Sequence, residues 1–324
     1  MNNAVDISIV IPVKNGEKYL DYLLKAVFSQ KVSSEFEVIV VDSGSKDRTI
    51  DIITQYPVTL YQINDCEFNH GLTRNFGISK AKGKYIVLMT QDAVPYDSHW
   101  LIQLIDAINS DENIAGVYSR QIPSQDVDVL MQLITARSFA SEKGKRQSKI
   151  RNPAEYARLL PREKYRFCNF DNVSSCIRKE VWEKCPFPKT EFGEDIEWAK
   201  TVLERGYQIN YEPDSIVYHS HNFSIQNWYR RNRLNSNKLA ALFGIYTISN
   251  IYKLFAFFLI YTTRDFYYIS KNKNRIRGTF TKTGLLPLYS FAGVLGQYRG
   301  TLDFKYSKRH QNEDTSSSPQ PTFS

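Results

Sequence analysis

Cysteine is scarce and unpatterned in this chain. The four cysteines, Cys66, Cys168, Cys176 and Cys185, form no CxxC pair and no spacing that would close a zinc site. A disulfide framework and a structural zinc are therefore not expected, and the thiols read as reduced groups in a reducing compartment. A basic segment ahead of the first apolar run is also missing: Asn2, Asn3 and Asp6 lead straight into it. No secretory signal peptide is expected on that account, and the front of the chain is expected to face the cytosol. Residues 13–18 carry no Gly-rich basic phosphate loop, which argues against a nucleotidyltransferase. There is no internal repeat.

What is abundant is positive charge and aromatic surface. The formal net charge is +8 over 324 residues, with pI about 9.1, and an excess of that size fits an acidic partner such as anionic lipid or a nucleotide diphosphate. Tyr and Phe number 21 and 19, and many of them lie after residue 220.

The first half alternates short β-branched runs with amphipathic stretches. Ile7-Ser8-Ile9-Val10-Ile11-Pro12, Phe36–Val41, Val58–Ile63, Tyr85–Met89 and Ile114–Tyr118 read as strands; residues 17–30, 47–55 and 71–82 read as helices between them. This alternation predicts a doubly wound α/β sheet, mainly parallel, with its ligand site outside the carboxyl ends of the strands. Lys14, Asp42 and Asp92 fall at those ends. Residues 123–165 read as a mobile loop with one or two helices. Glu194–Arg205 reads as a helix, followed by two short strands at Gln208–Tyr211 and Ser215–Tyr218.

The expected organisation is a catalytic domain at 1–223 (nucleotide-binding half about 1–120, acceptor-binding half about 121–223), a helical membrane-associating extension at 224–306, and a disordered tail at 307–324. Residues 239–262 approach the length of a membrane span, but Ser249, Asn250 and Lys253 sit in their middle. An interfacial or re-entrant helix is favoured over a buried helix or a true span. Arg230, Arg231 and Arg233 before it, and Lys271, Lys273, Arg275 and Arg277 after it, would suit an anionic membrane surface. The apolar stretch from Leu285 to Leu295 is expected beside it.

Four clusters carry chemistry. Pro12, Val13, Lys14 and Asn15 stand with Asp42, Ser43 and Asp47: a carboxylate at a strand end can accept from a nucleobase or ribose, and Ser43-Gly44-Ser45 turns tightly beside it. The plainer alternative is that Asp42 and Asp47 only make turns and caps. His70-Gly71-Leu72-Thr73-Arg74-Asn75 offers Arg74, whose planar fork suits phosphate oxygens, unless it merely faces solvent. Gln91-Asp92-Ala93 offers one acid for a divalent cation, which needs only one or two carboxylates when phosphate oxygens supply the rest. Tyr218-His219-Ser220-His221 holds a His-x-His pair, whose plainer reading is a surface loop. Phe192-Gly193-Glu194-Asp195 places two acids at a helix start, as catalytic groups or as complements to the helix dipole.

The segments Ile9–Asn15 and Val40–Thr49 resemble the family 2 glycosyltransferases, and Phe68–Asn75 with Met89–Pro95 is similar to bacterial rhamnosyltransferases of that family. The resemblance covers about the first 220 residues and implies the GT-A fold. It implies an inverting glycosyltransferase in which Asp195 is the general base, with Glu194 and Trp198 on the acceptor side. Pro12, Val13, Asn15, Asp42, Ser43, Asp47, Arg74, Gln91 and Asp92 would bind the donor, and Asp92, His219 and His221 would hold Mg²⁺ or Mn²⁺. Relatives carry Asp-x-Asp where this chain has Gln91-Asp92-Ala93. The implied donor is dTDP-rhamnose and the implied acceptor a polyprenyl-diphosphate-linked glycan, at the cytoplasmic face of the membrane, with no nucleic-acid partner. A family 2 transferase using a UDP-hexose, and a non-catalytic nucleotide-sugar-binding component, are the alternatives. Gln226–Arg231 has the wrong order for the Gln-x-x-Arg-Trp of processive synthases.

Overall fold

The computed structural model describes residues 5–124, 127–220, 222–272 and 283–316. They fall into two compact units, one within Met1–Val127 and Met131–His221, the other within Asp128–Leu130 and Asn222–Ser324.

Among the described residues of the first unit, nine strands form one sheet. They are β1 (Ile7–Val13), β2 (Phe36–Asp42), β3 (Thr59–Gln62), β4 (Tyr85–Met89), β5 (Val94–Pro95), β6 (Ile114–Ile122), β7 (Arg146–Lys149), β8 (Ser174–Arg178) and β9 (Gln208–Tyr218), in the order β3-β2-β1-β4-β8-β6-β9-β5 with β7 also on β9. The half from β3 to β4 is parallel, and β1 and β4 are buried along almost their whole length, as strands covered on both faces must be. The β1–β2 register sets Val13 beside Asp42, so the β1 and β2 ends lie at one edge with the turn after β4. Helices α1 (Leu20–Phe28), α2 (Thr49–Ile53), α3 (His70–Lys80) and α4 (Trp100–Asn109) connect these strands. On α1, Leu20, Leu23, Leu24 and Val27 are buried, the i, i+3, i+4, i+7 stripe of a helix with one apolar face.

β8 breaks the parallel order: it runs antiparallel to both β4 and β6. Its polar start is tolerated because each buried hydroxyl is bonded. Trp100 Nε1 donates to Ser174 Oγ at 2.9 Å, and Ser174, Ser119 and Ser215 link hydroxyl to hydroxyl at 2.7 and 2.8 Å. The two strands expected at 208–218 are one, β9, with a register jump in which Ser119 pairs Glu212 and Arg120 pairs Ile216. Pro213, Asp214 and Ser215 loop out between those pairs. The stretch expected as a loop holds β7, α5 (Val129–Ala136), α6 (Pro153–Arg158) and α7 (Pro161–Phe167). Asn152 caps α6 by accepting from Ala154 N at 3.0 Å, with Pro153 behind it. The first unit closes with α8 (Lys179–Lys184) and α9 (Glu194–Glu204).

The second unit holds α10 (Ile225–Phe243), α11 (Ile251–Asn272) and α12 (Leu286–Ser316). Residues 239–262 are therefore not one helix. Gly244 adopts φ +69 and its N–H returns to Ala240 O, a left-handed stop that favours glycine, and Asn250 Oδ1 then accepts from Lys253 N at the start of α11. Of the polar residues that interrupt the apolar run, Ser249 and Asn250 lie between two helices and Lys253 lies in the first turn of α11. No described helix is long and apolar enough to cross a membrane. Residues 307–316, expected in a disordered tail, continue α12, where Ser307 Oγ donates back to Asp303 O; 317–324 lie outside the described residues, as do Lys273, Arg275 and Arg277.

Gly296 and Gly300 lie one turn apart on α12 against α10. A Cβ on Gly296 would overlap the carbonyl of Tyr229, and one on Gly300 the carbonyl of Arg233. Leu254 and Val294 pack with Ile248 on the α11 side. Gly300→Val should accordingly destabilise the second unit by about 3 kcal/mol, whereas Gly284→Ala, with no atom of the described residues within 4 Å of its Cβ position, should change little. Urea titrations of the two variants check this, and equal midpoints would show that the close approach is dispensable.

Candidate active site

The turn after β1 is laced to the turn after β2. Asn15 N donates to Ser45 Oγ at 2.8 Å, Lys46 N to Asn15 Oδ1 at 2.9 Å, and Gly16 N to Thr49 Oγ1 at 2.7 Å. Asp42 is fully buried and its carboxylate accepts from Gly44 N, Ser45 N and Ser45 Oγ. Asp47 accepts from Thr49 N and Oγ1 and from Glu17 N. Burial tends to raise the Asp47 pKa, but the bonds from Thr49 and Glu17 outweigh it and hold the carboxyl below its ordinary value. Both acids thus build the turn. Val13, expected at the donor, has its side chain in the core, and its carbonyl accepts from Ser43 N at 2.9 Å. Pro12 stays partly covered and Asn15 exposed. Ser43 Oγ is buried with no hydrogen-bond partner among the described residues, a polar atom at the strand edge that a ligand can satisfy.

Gln91, expected at the donor, is engaged by the chain itself. Its Oε1 accepts from Lys14 N at 2.7 Å and its Nε2 donates to Lys14 O at 3.1 Å. Both ends of the amide clamp one peptide, so Gln91 positions the β1 turn. Asp92 follows, 13% exposed, with Oδ1 3.8 Å from Nε2 of His219, which is 9% exposed. The two meet because β5 pairs with β9, setting Val94 against Tyr218. Ala93 is enclosed in the core, so an acid there would be buried. Among the described residues no group of three His, Cys, Asp or Glu has metal spacing, and His221 lies outside them. Asp92 and His219 could offer a divalent cation a partial oxygen and nitrogen set, of the kind that phosphate oxygens can complete.

The His70–Asn75 segment does something the sequence did not indicate. Asn69 caps α3 by accepting from Gly71 N and Leu72 N and donates to Thr190 O at 2.9 Å. Asn75 donates to Phe187 O and accepts from Phe187 N and Trp182 Nε1. A Cβ on Gly71 would run into the carbonyl of Pro188. Arg74, 5% exposed at its side chain, pairs with Glu194, 7% exposed, at 2.6 Å. The motif docks the segment ahead of α9, and Arg74 faces Glu194 instead of solvent.

That segment delivers Asp195. Gly193 stands at φ +70 before the first turn of α9, a left-handed position suited to glycine. Asp195 Oδ1 accepts from Ile196 N at 2.8 Å and Oδ2 from Asn172 N at 3.3 Å. Burial, then the charges of Glu194 and Asp171, push its carboxyl up to about 8, against the pull of the Ile196 N–H and Arg74. Trp198, expected on the acceptor side, is 1% exposed, packed on Phe170 and Phe187, with Nε1 on Cys185 O. Glu194 is likewise enclosed. Sequence reading missed Asp171, Asn172 and Gln121. Gln121 Nε2 donates to Asp171 Oδ2 at 2.7 Å, and its Oε1 lies 2.9 Å from His219 Nδ1. The one available signal was polar residues inside strand patterns.

Residues 8–168 match the description "Glycosyl transferase family 2". The chain is 30% identical over 229 residues, 69% of each chain, to "O-antigen chain rhamnosyltransferase RfbN" of Salmonella typhimurium. It is 30% identical over 207 residues to "O-antigen chain rhamnosyltransferase WbaN" of Salmonella anatum, covering 63% of this chain and 62% of that one. The chain belongs to glycosyl transferase family 2. A mannosyltransferase from Pyrobaculum calidifontis, solved "in complex with GDP-Man and Mn2+", shares the fold at TM-score 0.57 and 15% identity, over 95% of this chain and 90% of that one. The fold of this family 2 glycosyltransferase is accordingly GT-A, a mixed, mainly parallel sheet flanked by helices.

In this transferase the Arg74–Glu194 pair is out of water, where losing one partner strands the other charge. Arg74→Met alone should cost about 3–5 kcal/mol, and Arg74→Met with Glu194→Leu far less. Unfolding free energies of the single and double variants test this; additive losses would mean the two charges are not coupled.

Proposed function

We propose that this glycosyltransferase moves L-rhamnose from dTDP-rhamnose to a lipid-linked saccharide acceptor with inversion, in the synthesis of a surface polysaccharide. The observation that carries the reaction type is Asp195, a carboxyl at the start of α9 with its pKa raised towards neutrality, where a general base works best. Asp195 takes the proton of the acceptor hydroxyl as that oxygen bonds to the anomeric carbon. The bond to the diphosphate oxygen breaks on the opposite face, and the electron pair leaves with the nucleotide. A divalent cation (Mg²⁺ or Mn²⁺) held by Asp92 and His219 would supply charge to stabilise the leaving diphosphate. Ser43 Oγ and Asn172 Nδ2, both buried and without hydrogen-bond partners among the described residues, are two groups that could bond a sugar nucleotide. Arg74, paired to Glu194, positions the base. The choice of rhamnose rests on the two O-antigen rhamnosyltransferases.

With dTDP-rhamnose in a screen of nucleotide sugars, including UDP-hexoses, donor turnover should be highest for the rhamnosyl donor; a UDP-hexose preference would overturn the sugar. Asp195→Asn should bind donor with nearly unchanged affinity and lose transfer by about 10³-fold or more. In the wild type, kcat/KM should rise with pH and level off above about 8, because only the ionised carboxyl accepts a proton. That raised pKa also opposes folding once the carboxyl ionises. The contribution is absent below the ordinary carboxyl range and grows as pH climbs towards 8, so the Asn variant should melt no lower than wild type at alkaline pH. Unchanged turnover in the variant rejects Asp195 as base.

We further propose that the enzyme works on the anionic cytoplasmic face of the membrane. Ile251, Phe255 and Leu259, spaced by four on α11, are exposed together with Tyr252, Ile260 and Tyr267, and Lys253, Arg230, Arg231 and Lys271 are exposed on the same unit. An apolar stripe with basic neighbours suits an interfacial helix. The protein should pellet with anionic vesicles and be released by salt or mild detergent. Phe255→Asp with Leu259→Asp should weaken that binding at least about tenfold with no change in melting, and full retention of binding rejects the assignment.

A further inference from the structure

Gln121 is buried on β6, 5% exposed, and sits between two groups of fixed demand. On one side is Asp171, whose Oδ1 already accepts from Val173 N at 2.9 Å and whose Oδ2 is 2.7 Å from Gln121 Nε2. A carboxylate only accepts, so the amide must turn its NH₂ to Asp171 and its Oε1 the other way. On the other side is His219 Nδ1, 2.9 Å from that oxygen. An amide oxygen also only accepts, so the imidazole must donate from Nδ1. The neutral ring has one N–H, and its lone pair therefore falls on Nε2, the nitrogen 3.8 Å from Asp92 Oδ1. That spacing is longer than a hydrogen bond. The backbone holds the imidazole in the same register, since His219 N donates to Ile122 O at 3.0 Å, next to Gln121 in the chain.

We infer that Gln121, oriented by Asp171, is a positioning residue that locks His219 in the Nδ1–H tautomer and so keeps its Nε2 lone pair towards Asp92, ready to ligate a divalent cation. Partners behind a ligating histidine govern both its tautomer and its affinity for metal. Here an amide passes on the demand of a carboxylate one residue further away. The inference rests on the proposed cation role of Asp92 and His219 for its purpose, but the tautomer is a property of the protein without metal.

The experiment is ¹⁵N-detected imidazole NMR on the metal-free full chain at about pH 8, above the ordinary histidine range, with the His219 signals identified by their loss in His219→Asn. Wild type should show the Nδ1–H pattern. Gln121→Met, close in volume, should release the ring to the Nε2–H form or a mixture. Asp171→Asn, whose side chain both donates and accepts, should give a mixture because Gln121 can then flip. Mn²⁺ alone, titrated by EPR, should bind Gln121→Met about tenfold or more weakly than wild type, with the melting temperatures showing that both are folded. Should Gln121→Met fail to fold, Asp171→Asn carries the tautomer comparison. An Nε2–H ring in wild type, or a ring unchanged in both variants, overturns the inference. An Nδ1–H ring that responds to the variants in a protein that does not take up Mn²⁺ supports the positioning role and overturns the cation role instead.

Discussion

The buried pair between Arg74 and Glu194 is the constraint on which the site depends. Two charges with side-chain exposures of 5% and 7% are tolerable only in contact, since desolvating either alone costs several kcal/mol. The pair therefore ties α3 to the first turn of α9, and Asn69, Gly71 and Asn75 tie α3 to the segment before it. Asp195 is the next residue after Glu194 and has no freedom to lie elsewhere. Its environment follows from the same contact. Arg74 is turned towards Glu194 and only partly offsets the charge felt at Asp195, so burial and the adjacent acids prevail and the carboxyl rises.

Asp171 connects this corner to the strand ends on the other side. The same carboxylate orients Gln121 and adds negative charge beside Asp195. One residue thereby affects both a ring facing Asp92 and the proton affinity of Asp195. Removing its charge would lower the Asp195 pKa and free the Gln121 amide together, which couples two properties that chemistry would otherwise let vary independently.

The sheet was legible because its central strands are buried on both faces and so read as short β-branched runs: Tyr85–Met89 was found as expected, and the Asp42 and Asp92 positions follow from it. β8 was not legible. Ser174 and Ser175 break the apolar pattern, and only hydroxyls brought in from β6, β9 and α4 make them acceptable in a core. The break at Gly244 and Asn250 was visible as residues but was read as polar defects in one apolar segment; the capping bonds show two helices. The internal contacts of Arg74, Gln91 and Trp198 were not legible, for one physical reason. Their partners lie 120, 77 and 13 residues away, and a motif records the residue type but not which way the side chain faces. Arginine suits a phosphate and a buried glutamate equally well.

The departure from Asp-x-Asp at Gln91-Asp92-Ala93 has a local explanation. The clamp on Lys14 needs an acceptor and a donor in one planar group. Glutamate at that position would accept from the Lys14 N–H but would face the Lys14 carbonyl with a second oxygen and repel it. At the third position the side chain points into the core, where a carboxylate without a partner would be expensive. A single acid is what the surrounding packing permits. A site with fewer ligands binds well only if those present are already oriented, because each rotamer that must be frozen on binding subtracts from affinity. Strand pairing between β5 and β9 supplies that order for Asp92 and His219 as a pair, and the amide of Gln121 supplies it for the imidazole ring. On the proposed reading of Asp92 and His219 as cation ligands, preorganisation by neighbouring strands would stand in for the missing carboxylate.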